Sequence, residues 1–318
     1  MLYLNEQDIK EAVALDEIMD AIEKAFHIYE KNTFFMPDRI HIEKDQNTLL
    51  YMPCFSESIF GTKILTLFPE NPKKNEPVTN GLMLLNDKET GKAVCMINGA
   101  SITAYRTGAV GGVGIRYTSP QNVENLGVIG TGVQGFYQTL YACKARNFKK
   151  VTVFDAYSQK LPEFVLRLQK ELPNVEIVAG NSSEEVVKNS DVIITATPST
   201  EPVIPNDKEL LKGKHFIAIG SYKPTMHEYP QAIFEIIENL YIDTEFATEE
   251  SGDIITPLEE GWIKEAQIKP FIDLVNGKKL EEETTLFKSV GMGLFDVVVS
   301  ELIYTKAKEK GLGQVINL

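Results

Sequence analysis

Three basic side chains stand out in the first part of the chain, where apolar segments hold few cations and an inward-facing cation needs a partner or a ligand. They are Arg39, Lys63 within the run Gly61-Thr-Lys-Ile-Leu-Thr-Leu-Phe68, and Arg106. An arginine fork matches a carboxylate bidentately, so two arginines and a lysine could together hold the carboxylate of an amino or keto acid. Taken singly, each residue is more often a surface cation or half of an ion pair.

A second candidate site is a glycine-rich turn, Gly127-Val-Ile-Gly130-Thr131-Gly132-Val133-Gln134-Gly135. It has the GxGxxG form, follows a predicted strand and opens a predicted helix, so its glycines suit a tight turn and a close approach to a pyrophosphate. The next predicted strand ends at Asp155, about twenty residues after Gly135. An acid there can accept both ribose hydroxyls and repels a 2′-phosphate, which predicts NAD rather than NADP. The alternative is a glycine turn that binds nothing.

A third candidate is Thr195-Ala196-Thr197-Pro198, at the end of a later predicted strand. Open α/β sheets hold ligands outside the carboxyl ends of their strands, so Thr195 and Thr197 could face the cofactor. Satisfying nearby backbone groups is an equal alternative for both hydroxyls.

The elements that would position these residues fall into two groups. Residues 5–31 have a helical pattern, and residues 34–96 contain short apolar runs separated by turn residues, which predicts helices on an antiparallel sheet. After Pro120, strands and helices alternate, as in a parallel sheet covered by helices. The predicted fold is α/β: a Rossmann doubly wound parallel sheet plus an α+β substrate-binding and dimerisation domain.

Length and charge restrict the class of protein. The chain has 318 residues, which at roughly 150 residues per domain suggests about two domains. The net charge of −13 disfavours nucleic acid and anionic membrane surfaces, and no apolar run reaches the roughly 20 residues of a membrane span. Three cysteines without metal-ligand spacing and an N-terminus unlike a signal peptide predict a cytoplasmic protein. Four scattered histidines support no metal site.

With these motifs in order, the chain resembles the family of ornithine cyclodeaminase, mu-crystallin and archaeal-type alanine dehydrogenase. The matching motifs run nearly end to end: Gly61-Thr-Lys63, Phe68-Pro-Glu-Asn71, Thr103-Ala-Tyr-Arg-Thr-Gly108, Gly130-Thr-Gly-Val-Gln134, Thr195-Ala-Thr-Pro-Ser199, Glu250-Ser-Gly-Asp253 and Phe287-Lys-Ser-Val-Gly291. The resemblance implies a homodimer in which residues 1–118, joined by a C-terminal helix at 292–318, bind substrate and form the dimer. Residues 119–291 would then be the NAD-binding Rossmann domain.

The same resemblance implies roles for individual residues. Arg39, Lys63 and Arg106 correspond to ligands of the substrate carboxylate, and Lys63 would also lie near the reacting amino or imino group. Ser289, Val290 and Gly291 would lie beside the nicotinamide. Thr79 would contact the substrate by analogy, although its place in a strand explains it equally well.

The chain departs from the family pattern at one position. Cyclodeaminases and alanine dehydrogenases of this family have a catalytic aspartate where this chain has Tyr222, in Gly220-Ser-Tyr222-Lys-Pro224. Mu-crystallin-like imine reductases also lack that carboxylate. Tyrosine is a poor base at neutral pH, but it can donate a hydrogen bond or a proton. The change therefore favours imine chemistry.

These observations predict an NAD-dependent oxidoreductase that transfers a hydride to or from the Cα–N centre of a small α-amino or cyclic α-imino acid. A reductase of the pyrroline-2-carboxylate type or an amino-acid dehydrogenase fits best, with Lys63 and Tyr222 as the catalytic candidates. One alternative is ornithine cyclodeamination, in which Tyr222, Glu228 or water replaces the missing base. Another is a protein that binds NAD and a small ligand without catalysis.

Overall fold

The computed structural model describes residues 1–156 and 159–317, and the chain divides into two compact units. The first unit comprises Met1–Arg106 and Met292–Leu318, and the second comprises Thr107–Gly291. This boundary divides the helix Gly99–Thr118, whereas the boundary predicted from sequence, after residue 118, lies at the end of that helix. The roles predicted for the two domains remain predictions.

Strands and helices are numbered along the chain. The strands are β1 (Leu2–Leu4), β2 (Ile40–Lys44), β3 (Asn47–Phe55), β4 (Ile59–Leu67), β5 (Thr79–Asp87), β6 (Ala93–Asn98), β7 (Asn125–Ile129), β8 (Lys150–Phe154), β9 (Glu176–Ala179), β10 (Val192–Thr195), β11 (His215–Ala218), β12 (Leu240–Ile242), β13 (Ile268–Pro270), β14 (Thr285–Lys288) and β15 (Gln314–Val315). The helices are α1 (Glu6–Ala12), α2 (Leu15–Lys31), α3 (Gly99–Thr118), α4 (Val133–Ala145), α5 (Leu161–Glu171), α6 (Ser183–Lys188), α7 (Lys208–Leu211), α8 (Gln231–Phe234), α9 (Ala247–Glu250), α10 (Gly252–Glu259), α11 (Ile272–Val275) and α12 (Gly293–Glu309).

The first unit is built on a seven-stranded sheet with the order β15-β1-β6-β5-β4-β3-β2. Strands β2 to β6 pair antiparallel, but β1 pairs parallel with β6, so the sheet is mixed rather than wholly antiparallel as predicted. The predicted helical segment 5–31 is two helices, because Val13 and Ala14 have extended backbones and interrupt it. The buried faces of the two helices are out of phase, since Ile9 and Ile18 are about two and a half helical turns apart and would lie on opposite faces of one continuous helix.

Alternation along β4 places Lys63 on the buried face of this sheet. Residues 59, 61, 63 and 65 are buried, whereas their neighbours are only partly so. Helix α12 packs against α2, β3 and β4. Side chains from the first turn of α12 are therefore close to the middle of β4.

The second unit contains eight parallel strands in the order β13-β12-β14-β11-β10-β7-β8-β9. The chain winds outward in both directions from β7, which confirms the predicted doubly wound sheet. Strands β10, β11 and β14 are buried throughout, as expected of a parallel sheet covered on both faces. In such a sheet the carboxyl ends of all strands lie at one edge. Among the described residues, no helix has the length and apolar character needed to span a membrane.

Candidate active site

Lys63 and Asp296 form a buried ion pair in the first unit. Lys63 Nζ lies 2.7 Å from Asp296 Oδ2, and both side chains are 0% exposed. Asp296 is in the first turn of α12, where the helix dipole favours an acid. Nothing in the sequence around Asp296 indicates that it meets Lys63, which lies 233 positions earlier.

Arg106 binds the other oxygen of the same carboxylate. Its Nε donates to Asp296 Oδ1 at 2.9 Å, and the Arg106 side chain is also buried. Asp296 therefore bridges two of the three predicted substrate-binding cations, one on each oxygen. We call Arg39, Lys63, Arg106 and Asp296 the cationic cluster.

The cationic cluster perturbs the titration of its lysine. Burial is the largest cause that lowers the pKa of Lys63, to about 7; the positive charges of Arg106 and Arg39 also lower it, and Asp296 opposes them. The contact with Asp296 is short but poorly aligned, so no described residue accepts a well-oriented hydrogen bond from Nζ. An ammonium in this state can donate to a ligand, and a pKa near neutrality suits it to general acid catalysis.

The two remaining substrate-binding candidates are placed differently. Arg39 is half-buried and lies close enough for its charge to act on Lys63. Thr79 begins β5, four residues before Met83, the register partner of Lys63. At about 3.3 Å per residue, Thr79 lies roughly 13 Å along β5 from Met83. The structure therefore does not place Thr79 next to Lys63.

The immediate surroundings of the cluster are apolar. Burial raises the pKa of the Cys54 thiol to about 12, and the nearby Asp296 charge adds to the rise, so Cys54 is a neutral neighbour. A methyl group at Gly293 would lie 3.5 Å from Met36 Sδ and 3.6 Å from Cys54 Cβ. The Pro53 carbonyl oxygen would lie 3.5 Å from the same methyl group, so a ligand held here would have thiol, thioether and one backbone carbonyl group nearby.

The glycine-rich turn of the second unit has the geometry of a dinucleotide site. Gly130 has φ +102°, and a Cβ there would lie 2.5 Å from the Ala196 carbonyl oxygen. A Cβ at Gly135 would lie 2.0 Å from the Gly130 carbonyl oxygen, so close packing requires glycine there too. Gly132, in contrast, faces open space and precedes α4 without a side-chain cap. Backbone amides at the start of α4 are thus approachable by a phosphate.

Asp155 follows β8 beside this turn. Its Oδ2 accepts hydrogen bonds from the Thr131 backbone N–H and from Thr131 Oγ1, each 2.9 Å long. Asp155 is thus hydrogen-bonded to the glycine-rich turn. Its proposed contact with the ribose remains a prediction.

The threonines after β10 are hydrogen-bonded to Glu228, which the sequence offered as one substitute for the missing base. Thr195 Oγ1 is 3.0 Å from both Glu228 Oε2 and the Tyr229 hydroxyl, and Thr195 is fully buried. Thr197 donates from its backbone N–H and its Oγ1 to Glu228 Oε1. Glu228 is 0% exposed and accepts hydrogen bonds on both oxygens. Burial and the negative charge of Asp253 raise the pKa of Glu228 to about 7. Each of its oxygens nevertheless already accepts two hydrogen bonds, which argues against the role of substitute base in the cyclodeaminase alternative.

The segment Ser289–Gly291 folds around another buried acid, Asp243. Asp243 Oδ2 accepts from Ser289 Oγ at 2.6 Å and from the Gly291 N–H at 2.8 Å, and Oδ1 lies 3.3 Å from the Val290 nitrogen. Gly291 has φ +74°, which favours glycine. Asp243 follows β12, a three-residue strand that sequence reasoning missed.

Tyr222 lies in the loop after β11 and is 37% exposed. Partial burial raises its pKa, so the phenol stays protonated at neutral pH. The loop is tied down on both sides of it, since Ser221 Oγ donates to the Met226 carbonyl and the Gly252 N–H bonds the Lys223 carbonyl. A protonated phenol on this loop can donate a hydrogen bond but is a poor base at neutral pH.

The residues at the carboxyl edge of the second unit fit a dinucleotide, because an open glycine, an uncapped helix start and an acid occur together. In the described part of the chain, no group of three or more His, Cys, Asp or Glu side chains is arranged to hold a metal ion.

Comparisons with known proteins identify the family. A model of the ornithine cyclodeaminase/mu-crystallin family matches residues 1–311. The Delta(1)-pyrroline-2-carboxylate reductase of Bacillus cereus is 31% identical over an alignment of 329 residues that covers 100% of both chains.

Two solved structures are similar along the whole chain. The Thermococcus litoralis Delta(1)-pyrroline-2-carboxylate reductase in complex with NADH and L-proline has a TM-score of 0.92 and 32% identity, covering 99% of this chain and 100% of that one. An archaeal alanine dehydrogenase dimer with bound NAD has a TM-score of 0.89 and 28% identity, covering 100% of this chain and 99% of that one.

Proposed function

Because this chain belongs to the ornithine cyclodeaminase/mu-crystallin family, we propose that it is an NAD-dependent reductase of a small cyclic α-imino acid of the pyrroline-2-carboxylate type. The family resemblance seen in the motifs is confirmed, and the chain is an enzyme of the oxidoreductase class. The observation that most supports the proposed substrate class is the cationic cluster, which places a buried lysine beside groups that suit a carboxylate.

The proposed mechanism assigns one task to each member of the cluster. Arg106 and Arg39 bind the substrate carboxylate, since a guanidinium matches its two oxygens. Lys63 Nζ donates a proton to the imine nitrogen, which makes the imine carbon electrophilic. Asp296 holds Lys63 and Arg106 in place and offsets part of their positive charge. NADH, when bound, supplies the hydride, so that one hydride and one proton convert the C=N bond to CH–NH.

The environment of Lys63 explains why this task suits it. A lysine in water keeps its proton far above neutral pH and transfers it poorly to an imine at that pH. Burial brings the pKa of Lys63 to about 7, close to working pH. Because Asp296 opposes that shift, it keeps a useful fraction of Lys63 protonated at neutral pH.

The absence of the family aspartate supports reduction over cyclodeamination. Cyclodeamination needs several proton transfers that a carboxylate base assists, whereas imine reduction needs one proton donor. The position holds Tyr222, whose pKa is raised, and the other candidate base, Glu228, has no exposed surface. The direct participation of Tyr222 remains a prediction.

The proposal is tested by following the absorbance of reduced nicotinamide while the protein acts on a panel of cyclic imino acids. We expect stoichiometric oxidation of NADH and formation of L-proline from pyrroline-2-carboxylate. Release of ammonia and proline from ornithine with only catalytic NAD would instead establish the cyclodeaminase. Tight NADH binding without turnover of any imine would establish the non-catalytic alternative.

We further propose that two copies associate through the β2 edge of the first unit. All five residues of β2 are exposed, and the apolar side chains of Ile40, Ile42, Phe35 and Phe55 are 43–66% exposed. A second copy would cover this apolar surface. Sedimentation velocity should show a dimer for the unaltered chain and a monomer for Ile42→Lys; a monomeric unaltered chain would refute the proposal.

A cytoplasmic location also remains a prediction.

A further inference from the structure

One fully buried carboxylate joins the loops that follow two neighbouring strands of the second unit. Glu228 Oε1 accepts from the Thr197 N–H at 2.8 Å and from Thr197 Oγ1 at 2.7 Å. Glu228 Oε2 accepts from the Gly220 N–H at 2.8 Å and from Thr195 Oγ1 at 3.0 Å. Thr197 follows β10 and Gly220 follows β11. Both strand ends are therefore bound to one side chain.

The arrangement of donors makes the carboxylate hard to replace. Each oxygen accepts one backbone N–H and one hydroxyl. A hydroxyl can rotate and become an acceptor, but a backbone N–H cannot. A glutamine at 228 would therefore direct its amide NH₂ at one of the two backbone N–H groups in either orientation. That N–H would be buried without an acceptor, which is costly.

The backbone of Glu228 is itself held by a second buried pair. Its N–H donates to Asp253 Oδ1 at 2.6 Å, and Asp253 Oδ2 is 3.2 Å from Lys288 Nζ. Lys288 and Asp253 are 0–1% exposed, and Lys288 ends β14 just before Ser289. The network thus reaches the ends of three adjacent strands, β10, β11 and β14, at the edge where such sheets bind ligands.

Little space remains for these loops to shift. A Cβ at Gly220 would lie 2.2 Å from the Thr197 carbonyl oxygen and 2.5 Å from Glu228 Oε1. The two loops are therefore in direct contact, with the carboxylate bound between them. A change at position 228 would be transmitted to both.

We propose that Glu228 is a positioning residue that holds the ends of β10 and β11 in the arrangement that binds nicotinamide dinucleotide. This inference rests on the NAD dependence in the proposed function, but not on the identity of the imino acid. Glu228 acts through Thr195, Thr197 and Gly220 rather than by touching either substrate.

The test compares Glu228→Gln with the unaltered chain. NADH affinity is measured by fluorescence titration without imine, and kcat and the KM for the imino acid are measured at saturating NADH. We expect the Kd for NADH to rise about tenfold and kcat to fall by about tenfold or more, since displacements near 1 Å can cost roughly 100-fold. We expect the KM for the imino acid to change less than about twofold, because the groups proposed to bind it belong to the cationic cluster.

The matched control is Asp191→Ala at the opposite, amino edge of the same sheet. Asp191 Oδ2 accepts the backbone N–H groups of Glu124 and Asn125, at 2.9 and 2.8 Å. Its loss lowers Tm by leaving backbone donors unpaired, but it should leave the Kd for NADH unchanged. Equal weakening of NADH binding in both variants would overturn the inference, as would unaltered binding and kcat in Glu228→Gln.

If Glu228→Gln does not fold, Glu228→Asp decides the matter. Aspartate keeps the carboxylate but is one methylene shorter, so it cannot bind the loops after β10 and β11 at the same distances, and we expect it to weaken NADH binding. Unaltered NADH affinity in Glu228→Asp contradicts the inference. If the unaltered chain binds NADH but reduces no imine, the proposed substrate is wrong while the role of Glu228 still stands.

Discussion

Replacing Lys63 with methionine should abolish activity and stabilise the fold at the same time. Lys63 is wholly buried and its pKa is lowered from 10.5 to about 7, so folding disfavours its charged form. At about 1.36 kcal/mol per pKa unit, the shift corresponds to about 5 kcal/mol. Methionine has a similar length and no charge, and Asp296 keeps its hydrogen bond to Arg106 in the variant. No buried charge is left without a partner.

The stability gained in Lys63→Met should decrease as the pH rises. Below pH 7 Lys63 is protonated in both the folded and the unfolded chain, so its buried charge lowers the free energy of unfolding by the full amount of about 5 kcal/mol. Between pH 7 and 10.5 the unfolded chain binds the extra proton, so the stability of the unaltered chain rises with pH. The advantage of Lys63→Met should be about 5 kcal/mol at pH 6 and about 2 kcal/mol at pH 9. Groups that titrate equally in both variants cancel from this difference.

The assay is urea unfolding of both proteins at the two pH values, with Lys170→Met as an exposed control. The control should show no comparable pH-dependent difference. In parallel, kcat for imine reduction should fall by about 100-fold or more in Lys63→Met, with NADH affinity retained. A variant less stable than the unaltered chain at pH 6, or a difference that does not shrink by pH 9, would refute the reasoning.

Four further outcomes are expected. Arg106→Met should raise the KM for the imino acid about 100-fold without changing NADH affinity, because a charged hydrogen-bonded pair is worth about 3 kcal/mol; an unchanged KM argues against carboxylate binding by Arg106. Asp296→Asn should shift the fall of reductive kcat to lower pH, since Asp296 raises the pKa of Lys63; a shift upward in the pH profile contradicts this. Asp155→Ser should raise kcat/KM for NADPH relative to NADH by about tenfold or more, because the repulsive charge is removed; an unchanged ratio removes Asp155 from cofactor selection. Tyr222→Phe should lower kcat less than about tenfold, as the raised pKa excludes a base; a loss equal to that in Lys63→Met would reassign the proton donor.

Local patterns in the chain were sufficient for the cofactor motif and for strands β7 to β11 of the second unit. The GxGxxG turn, the acid at 155 and the alternation of strands and helices depend on residues close together in sequence, because turn geometry and strand period are local properties. The same reasoning failed where local signals are weak. The break at Val13 and Ala14 contains neither glycine nor proline, and β12 and β13 have three residues each.

Pairings between distant residues were decided by tertiary structure alone. Asp296 is separated from Arg106 by 190 positions, and only the packing of α12 on the first-unit sheet brings it to Lys63 and Arg106. Glu228 likewise accepts hydrogen bonds from two loops, because the β10 and β11 strand ends lie on either side of its carboxylate. Which charges meet depends on which faces the complete core brings together, and that depends on every buried side chain at once. Sequence thus identified the cations and the cofactor motif, and only the folded chain shows that Asp296 pairs with Lys63 and Arg106. It also shows that Glu228 binds the loops after β10 and β11.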